Sequence, residues 1–172
     1  IALNAGIAGG ADVILIPEIP YSIKQIAKHI ELIRSKGRNH ALVIVAEAVK
    51  KEDGTRATVK FVDGQVRLGG IGSYLGDQIY KLTNAETRVT VLGHVQRGAQ
   101  PSHRDRLIAS AFGVYAVDLV AKEKFNRIVV WQNRSVTDIN LDSIAGQSKT
   151  INMQDPLIKV AQGLGIYVGE TN

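Results

Sequence analysis

The sequence predicts an α/β fold, a parallel sheet with flanking helices, and a second domain that is incomplete. Two apolar runs, Ala11–Glu18 and His40–Ala46, are continuous rather than alternating, as strands buried on both faces of a parallel sheet are. Between them Ile23, Ile26, Ala27, Ile30 and Ile33 follow one another at helical spacing, an apolar stripe along one face. Strand, helix and strand with short links make a βαβ unit, whose strands run parallel.

In chain order, residues 1–9 read as the tail of a helix closed by Gly9-Gly10. Pro17 ends the first strand, and Ser22 offers a side chain to cap the helix that follows. Lys24, Lys28, Glu31 and Arg34 lie on that helix's outer face, and Gly37 stops it. Ala48 to Arg56 is a charged loop. Thr58–Val62 and Gln65–Leu68 flank Asp63-Gly64, the pattern of a small hairpin. Gly69-Gly70 breaks it, and Tyr74, Leu75, Ile79 and Leu82 predict a helix. Val89–Leu92, apolar and largely β-branched, predicts a buried strand. Leu107 to Val120 predicts a long amphipathic helix, and Arg127–Trp131 a further strand. Asp138–Lys149 is polar and reads mostly as loop, with a turn of helix near Leu141–Ile144. Asp155-Pro156 opens a last short helix through Leu164.

At 172 residues the chain has the length of about one to one-and-a-half domains. Apolar residues at 45% and charged residues at 22% are ordinary for a globular protein. A net charge of +5 permits an anionic partner. The basic residues are dispersed, with no aromatic, basic face on which bases could stack, so nucleic acid is not expected. No apolar run approaches ~18 residues, so no membrane-spanning helix is expected. The absence of cysteine excludes disulfides and thiolate metal sites and fits a cytoplasmic protein. His29, His40 and His103 show no metal-ligand spacing, and no metal site is predicted. The first residue is not methionine and Met153 is the sole one, so the chain reads as a piece of something longer.

The densest cluster of chemistry follows Val89–Leu92. His94 and Arg97 sit in a glycine-flanked turn, where a guanidinium fork and a titratable imidazole suit an anion such as phosphate. If Arg88 opens a strand that His94 closes, about 20 Å separates their backbones at ~3.3 Å per residue. An arginine side chain spans about a third of that, so the two would not share one phosphate within a chain.

Arg88, Gly93, His94, Gln96, Arg97, Gly98, Asp105 and Arg106 together resemble the phosphofructokinase signature. Ala99 departs from it, standing where glycine or phenylalanine is usual. The runs GIAGGADVILIPE, HALVIVAE and ASAFGVYAVDL resemble the carboxy-terminal half of the same family, in the same order. The resemblance implies phosphoryl transfer from ATP, with Mg²⁺, to the 1-hydroxyl of fructose 6-phosphate, a step of glycolysis. It makes Glu47 an acceptor for a sugar hydroxyl and His94 a contact of the 6-phosphate. Arg97 would bind the sugar phosphate and steady transition-state charge, and Arg88 would reach a neighbouring subunit's site in a homo-oligomer, a homotetramer. Gly10, Asp12, Lys36 and Arg38 fall where the family holds an allosteric nucleotide or phosphoenolpyruvate between subunits. An acidic residue there can bind a metal carried by the nucleotide, but Asp12 is shorter than the usual glutamate.

The family's nucleotide loop, catalytic aspartate and Met-Gly-Arg motif lie upstream and are absent here. No catalytic base is therefore expected in this chain, and the main ligands of ATP and Mg²⁺ lie outside it. Two other readings stay open: a pyrophosphate-dependent enzyme, and a non-catalytic phosphate-binding regulatory module. By the resemblance, residues 1–95 form most of a sugar-phosphate and effector domain. Residues 96–148 belong to the nucleotide-binding domain, and 149–172 return to the first. The reading depends on Glu47, His94 and Arg97 converging on one pocket.

Overall fold

The structure, a computed structural model, describes residues 1–60 and 66–170. They form two compact units, one of residues 1–91 with 150–172 and one of residues 92–149. The fold is mixed α/β, with a parallel pair of strands and flanking helices.

The first unit is built around strand β1 (Val13–Leu15), which pairs in parallel with β2 (Val43–Val45). On its other edge the returning carboxy-terminal segment lies alongside. Ile14 N donates to the Tyr167 carbonyl and Tyr167 N to the Asp12 carbonyl, each at 2.9 Å. With neighbours on both sides, every residue of β1 is buried. Alternation divides its side chains between two cores. Val13 and Leu15 pack with Ile23, Ile26 and Ile30 of helix α2 (Ile23–Ser35) and with Ile71, Leu75 and Ile79 of helix α3 (Ile71–Thr83). Ile14 and Ile16 pack against Leu3 of helix α1 (Ala2–Ala8) and Ile158 and Ala161 of the last helix (Pro156–Gly163). Each aliphatic side chain so buried contributes about 1.5–3 kcal/mol. The expected βαβ unit is present, although its paired strands are shorter than the apolar runs that predict them.

The remaining elements of this unit hold those layers in place. Gly37 follows the last residues of α2 with φ +90, a backbone state open to glycine. The Arg34 guanidinium donates to the Thr83 carbonyl at 3.2 Å, tying α2 to the end of α3. Strands β3 (Thr58–Lys60) and β4 (Val66–Leu68) form the antiparallel hairpin. The predicted Asp63-Gly64 turn lies outside the described residues.

Two expectations for this unit are corrected. The Ser22 side chain accepts no capping bond. Ile23 N instead donates to Glu52 Oε1 at 2.9 Å, an acidic cap brought to the helix end from a distant loop. Nor is Val89–Leu92 a buried strand. Residues 84–92 are irregular, with Val91 81% and Leu92 55% exposed. Strand-forming composition needs an adjacent strand to take its backbone bonds, and no described strand lies beside these residues. The strand spacing that separates Arg88 from His94 therefore lapses with it.

The second unit opens with a 3₁₀ turn (Gly93–Arg97) and continues through α4 (His103–Ala121). Strands β5 (Arg127–Gln132) and β6 (Ser135–Asn140) pair antiparallel along their whole length. A second 3₁₀ turn, Leu141–Ser143, follows. Strand β6 replaces the start of the predicted loop. Its polar composition hid it, and its two-residue turn carries no glycine. Asn133 and Arg134 take φ +48 and +62 there, the left-handed pair that a tight hairpin requires. Helix α4 is longer than the predicted Leu107 to Val120, starting at His103 and ending at Ala121, and of its apolar stripe only Leu119 is buried.

Candidate functional site

Three places hold the residues that sequence reasoning singles out. The first is the hollow of about 210 Å³ in the first unit lined by Asp12, His29, Lys36 and Arg38 among others. Gly10, φ +68, turns the chain into β1 just before it. Arg38 grips Asp12 with Nη1 to Oδ1 at 2.7 Å and Nη2 to Oδ2 at 3.0 Å. Leu42 N adds a third donor to Oδ2 at 2.8 Å. The Asp12 side chain is only 9% exposed and Arg38 is 46% exposed. A carboxylate with three N–H donors has little left for a cation, so Asp12 does not fit the role of a metal ligand. Lys36 is exposed and has no side-chain partner among the described residues.

The second place is the end of β2. Glu47 follows it in a turn, exposed and without a side-chain partner among the described residues. The end of a strand in an open α/β sheet is where ligands bind, so the carboxylate is available to accept from a hydroxyl.

The third is the signature segment. Arg88, in the first unit, is exposed and pairs with Glu86, Nη2 to Oε1 at 3.0 Å. His94 and Arg97 stand on the 3₁₀ turn that opens the second unit, both exposed and unpartnered among the described residues. Gly93 enters the turn at φ +49. Ala99 does not have a positive φ, so its methyl imposes no strain. Glu47 belongs to the first unit, and His94 and Arg97 to the second.

Two interactions in the second unit are not expected from the sequence. Asp105 of the signature is half of a capping box: its Oδ2 accepts from Ser102 N at 2.9 Å, and Ser102 Oγ accepts from Asp105 N at 3.2 Å. The Ser102 hydroxyl, which donates to the same Oδ2 at 2.7 Å, and then the Ser102 N–H hold the Asp105 carboxyl below its ordinary value. The Ser-x-x-Asp spacing at the head of α4 could have shown it. In the same unit Asp138 accepts from the Tyr115 hydroxyl at 2.8 Å and from Arg127. The Tyr115 bond, then Arg127, lowers the Asp138 carboxyl, and the bond to Asp138 raises the Tyr115 phenol. Nothing in spacing reveals this group, which strand pairing assembles. His29 stacks obliquely on Tyr167 with ring centres 6.2 Å apart, and no group of three metal-ligating side chains gathers among the described residues.

Comparison with known proteins agrees with the signature. The family model described as PFK, Phosphofructokinase, matches residues 1–120. ATP-dependent 6-phosphofructokinase 1 of Nostoc sp. is 55% identical over 170 residues, which is 99% of this chain and 47% of that protein. The Synechocystis sp. protein of the same name is 48% identical over 169 residues, 98% of this chain and 47% of its own length. The crystal structure of Pichia pastoris phosphofructokinase in the T-state superposes with a TM-score of 0.63 at 26% identity, covering 95% of this chain and 16% of that one. The chain thus spans about half the length of the curated relatives it matches. With a signature that departs only at Ala99, a matching family model and relatives aligned over nearly all of this chain, this chain belongs to the phosphofructokinase family.

Proposed function

We propose that this chain is the sugar-phosphate-binding half of an ATP-dependent 6-phosphofructokinase, a phosphotransferase of glycolysis. The observation that carries the reading is the signature from Arg88 to Arg106 inside a chain 55% identical to an enzyme so named. The names of the relatives do not favour pyrophosphate as donor.

In this reading His94 and Arg97 hold the 6-phosphate of fructose 6-phosphate. Both lack internal partners among the described residues, so neither must break a bond to receive it. Arg97 also offsets charge that spreads over the transferred phosphoryl group, a reaction in which catalysis is mostly positioning and electrostatics. Glu47 accepts from a sugar hydroxyl and orients the ring. Arg88 serves the sugar-phosphate site of a second copy. ATP, when bound, would supply the transferred phosphoryl group, and Mg²⁺ would offset its charge. No metal-ligand set gathers among the described residues. The hollow beside Lys36 and Arg38 is the candidate effector site for an allosteric nucleotide or phosphoenolpyruvate, without metal binding by Asp12. The protein works in the cytoplasm.

The test is steady-state kinetics of the full-length protein with ATP and fructose 6-phosphate. His94→Ala and Arg97→Ala should each lower kcat/KM for the sugar phosphate by about 10²-fold or more. Wild-type values in both variants would overturn the assignment. This chain by itself, lacking a base, should form no fructose 1,6-bisphosphate.

A further inference from the structure

The side of α3 that meets residues 87–89 bears no side chain at two positions one turn apart. A Cβ on Gly72 would stand 2.9 Å from Val89 Cγ1. One on Gly76 would stand 3.2 Å from Val89 Cγ2 and 3.3 Å from Thr87 Oγ1. The Thr87 hydroxyl also donates to the Gly76 carbonyl at 3.4 Å. Neither glycine has a positive φ, so what a methyl would upset is close approach and not backbone conformation. Two glycines inside a helix weaken it relative to alanine.

Thr87 and Val89 both approach the helix at its two glycines, and the residue between them turns into water. That residue is Arg88, whose side chain is 87% exposed. Its one partner among the described residues is Glu86, itself 78% exposed, and an ion pair in water holds a guanidinium loosely. The aim of Arg88 is therefore set by its two neighbours and the groove they occupy.

We propose that Gly72 and Gly76 are positioning residues: they form the seat that turns Arg88 outward, toward the sugar phosphate of another subunit. The role rests on Arg88 being such a ligand. A methyl at position 72 would lift Val89, and with it the arginine one residue before.

Kinetics of the full-length protein, with amide hydrogen exchange over residues 84–92, test this. Arg88→Ala should raise KM for fructose 6-phosphate about tenfold or more, the loss of one charge-assisted contact. Gly72→Ala should raise the same KM with kcat little changed, and should speed exchange across 84–92. Adding Val89→Ala removes the methyls in the way and should restore KM. In an Arg88→Ala background Gly72→Ala should have no further effect. The proposal fails if Gly72→Ala leaves KM at the wild-type value while Arg88→Ala raises it. It fails equally if Val89→Ala does not restore KM, or if the Gly72 and Arg88 effects multiply. Should Arg88→Ala itself leave KM unchanged, the ligand reading is what fails and the positioning role falls with it. Faster exchange in Gly72→Ala would then mark the seat as packing alone.

Discussion

Arg38 binds Asp12 through both arms of its guanidinium, at 2.7 and 3.0 Å, across the hollow where the family resemblance places an effector. A carboxylate almost excluded from water and satisfied by three donors is a fastener between the start of β1 and the approach to β2.

Asp12→Asn should destabilise the protein by about 2 kcal/mol, since it breaks a largely buried pair whose arginine is half in water. Lys36→Ala should stay within about 0.5 kcal/mol of wild type. Urea unfolding measures both. Asp12→Asn should also tighten binding of ADP by calorimetry, because Arg38 is released to meet phosphate. Weaker binding would show that the carboxylate serves the ligand.

Glu52, not Ser22, caps α2. Glu52→Ala should cost about 1 kcal/mol, the usual value of a helix cap, and Ser22→Ala should cost a few tenths at most. Thermal melts of the two variants decide it, and the reverse order would refute the assignment.

Acid should loosen the second unit through Asp105 and Asp138. Both carboxyls titrate below their ordinary value of 3.8 in the folded chain. Their stabilisation is therefore complete above that value and is lost as pH falls through the lowered folded values. Asp138→Asn should flatten the acid limb of a plot of melting temperature against pH. An unchanged limb would mean that the Tyr115 and Arg127 bonds carry no linkage.

At the alkaline end Tyr21 is pushed up to about 12, first by burial and then by Tyr74 and nearby carboxylates. Its phenol donates to the Lys50 carbonyl at 2.9 Å. The unfolded tyrosine ionises near 10, so stability should fall as pH rises between those two values. Tyr21→Phe should remove much of that fall, read from melting curves between the two pH limits.

Arg88 and His94 should complement in trans. Full-length Arg88→Ala and His94→Ala chains, each impaired by itself, should regain activity at low fructose 6-phosphate when mixed and reassembled, because some sites then receive both groups. No recovery in mixed oligomers would rule out a shared site.

Much of this protein follows from side-chain order alone. Continuous apolar runs on either side of a 3.6-period stripe require a buried strand, a helix and a parallel strand, and the pairs Val13↔Val43 to Leu15↔Val45 bear that out. The order of residues from Arg88 to Arg106 sufficed to place the chain in its family, because that string is specific in itself. Composition could not say which neighbour a segment would meet. Val89–Leu92 has the residues of a strand but no described strand beside it, whereas polar Ser135–Asn140 is one because β5 pairs with it. Tertiary structure alone brought Glu52 to the head of α2, closed Arg38 onto Asp12 and laid Thr87 and Val89 over two glycines. Each of those contacts joins residues distant in the chain or selects one among several feasible partners, and distance and burial settle the choice where spacing is silent.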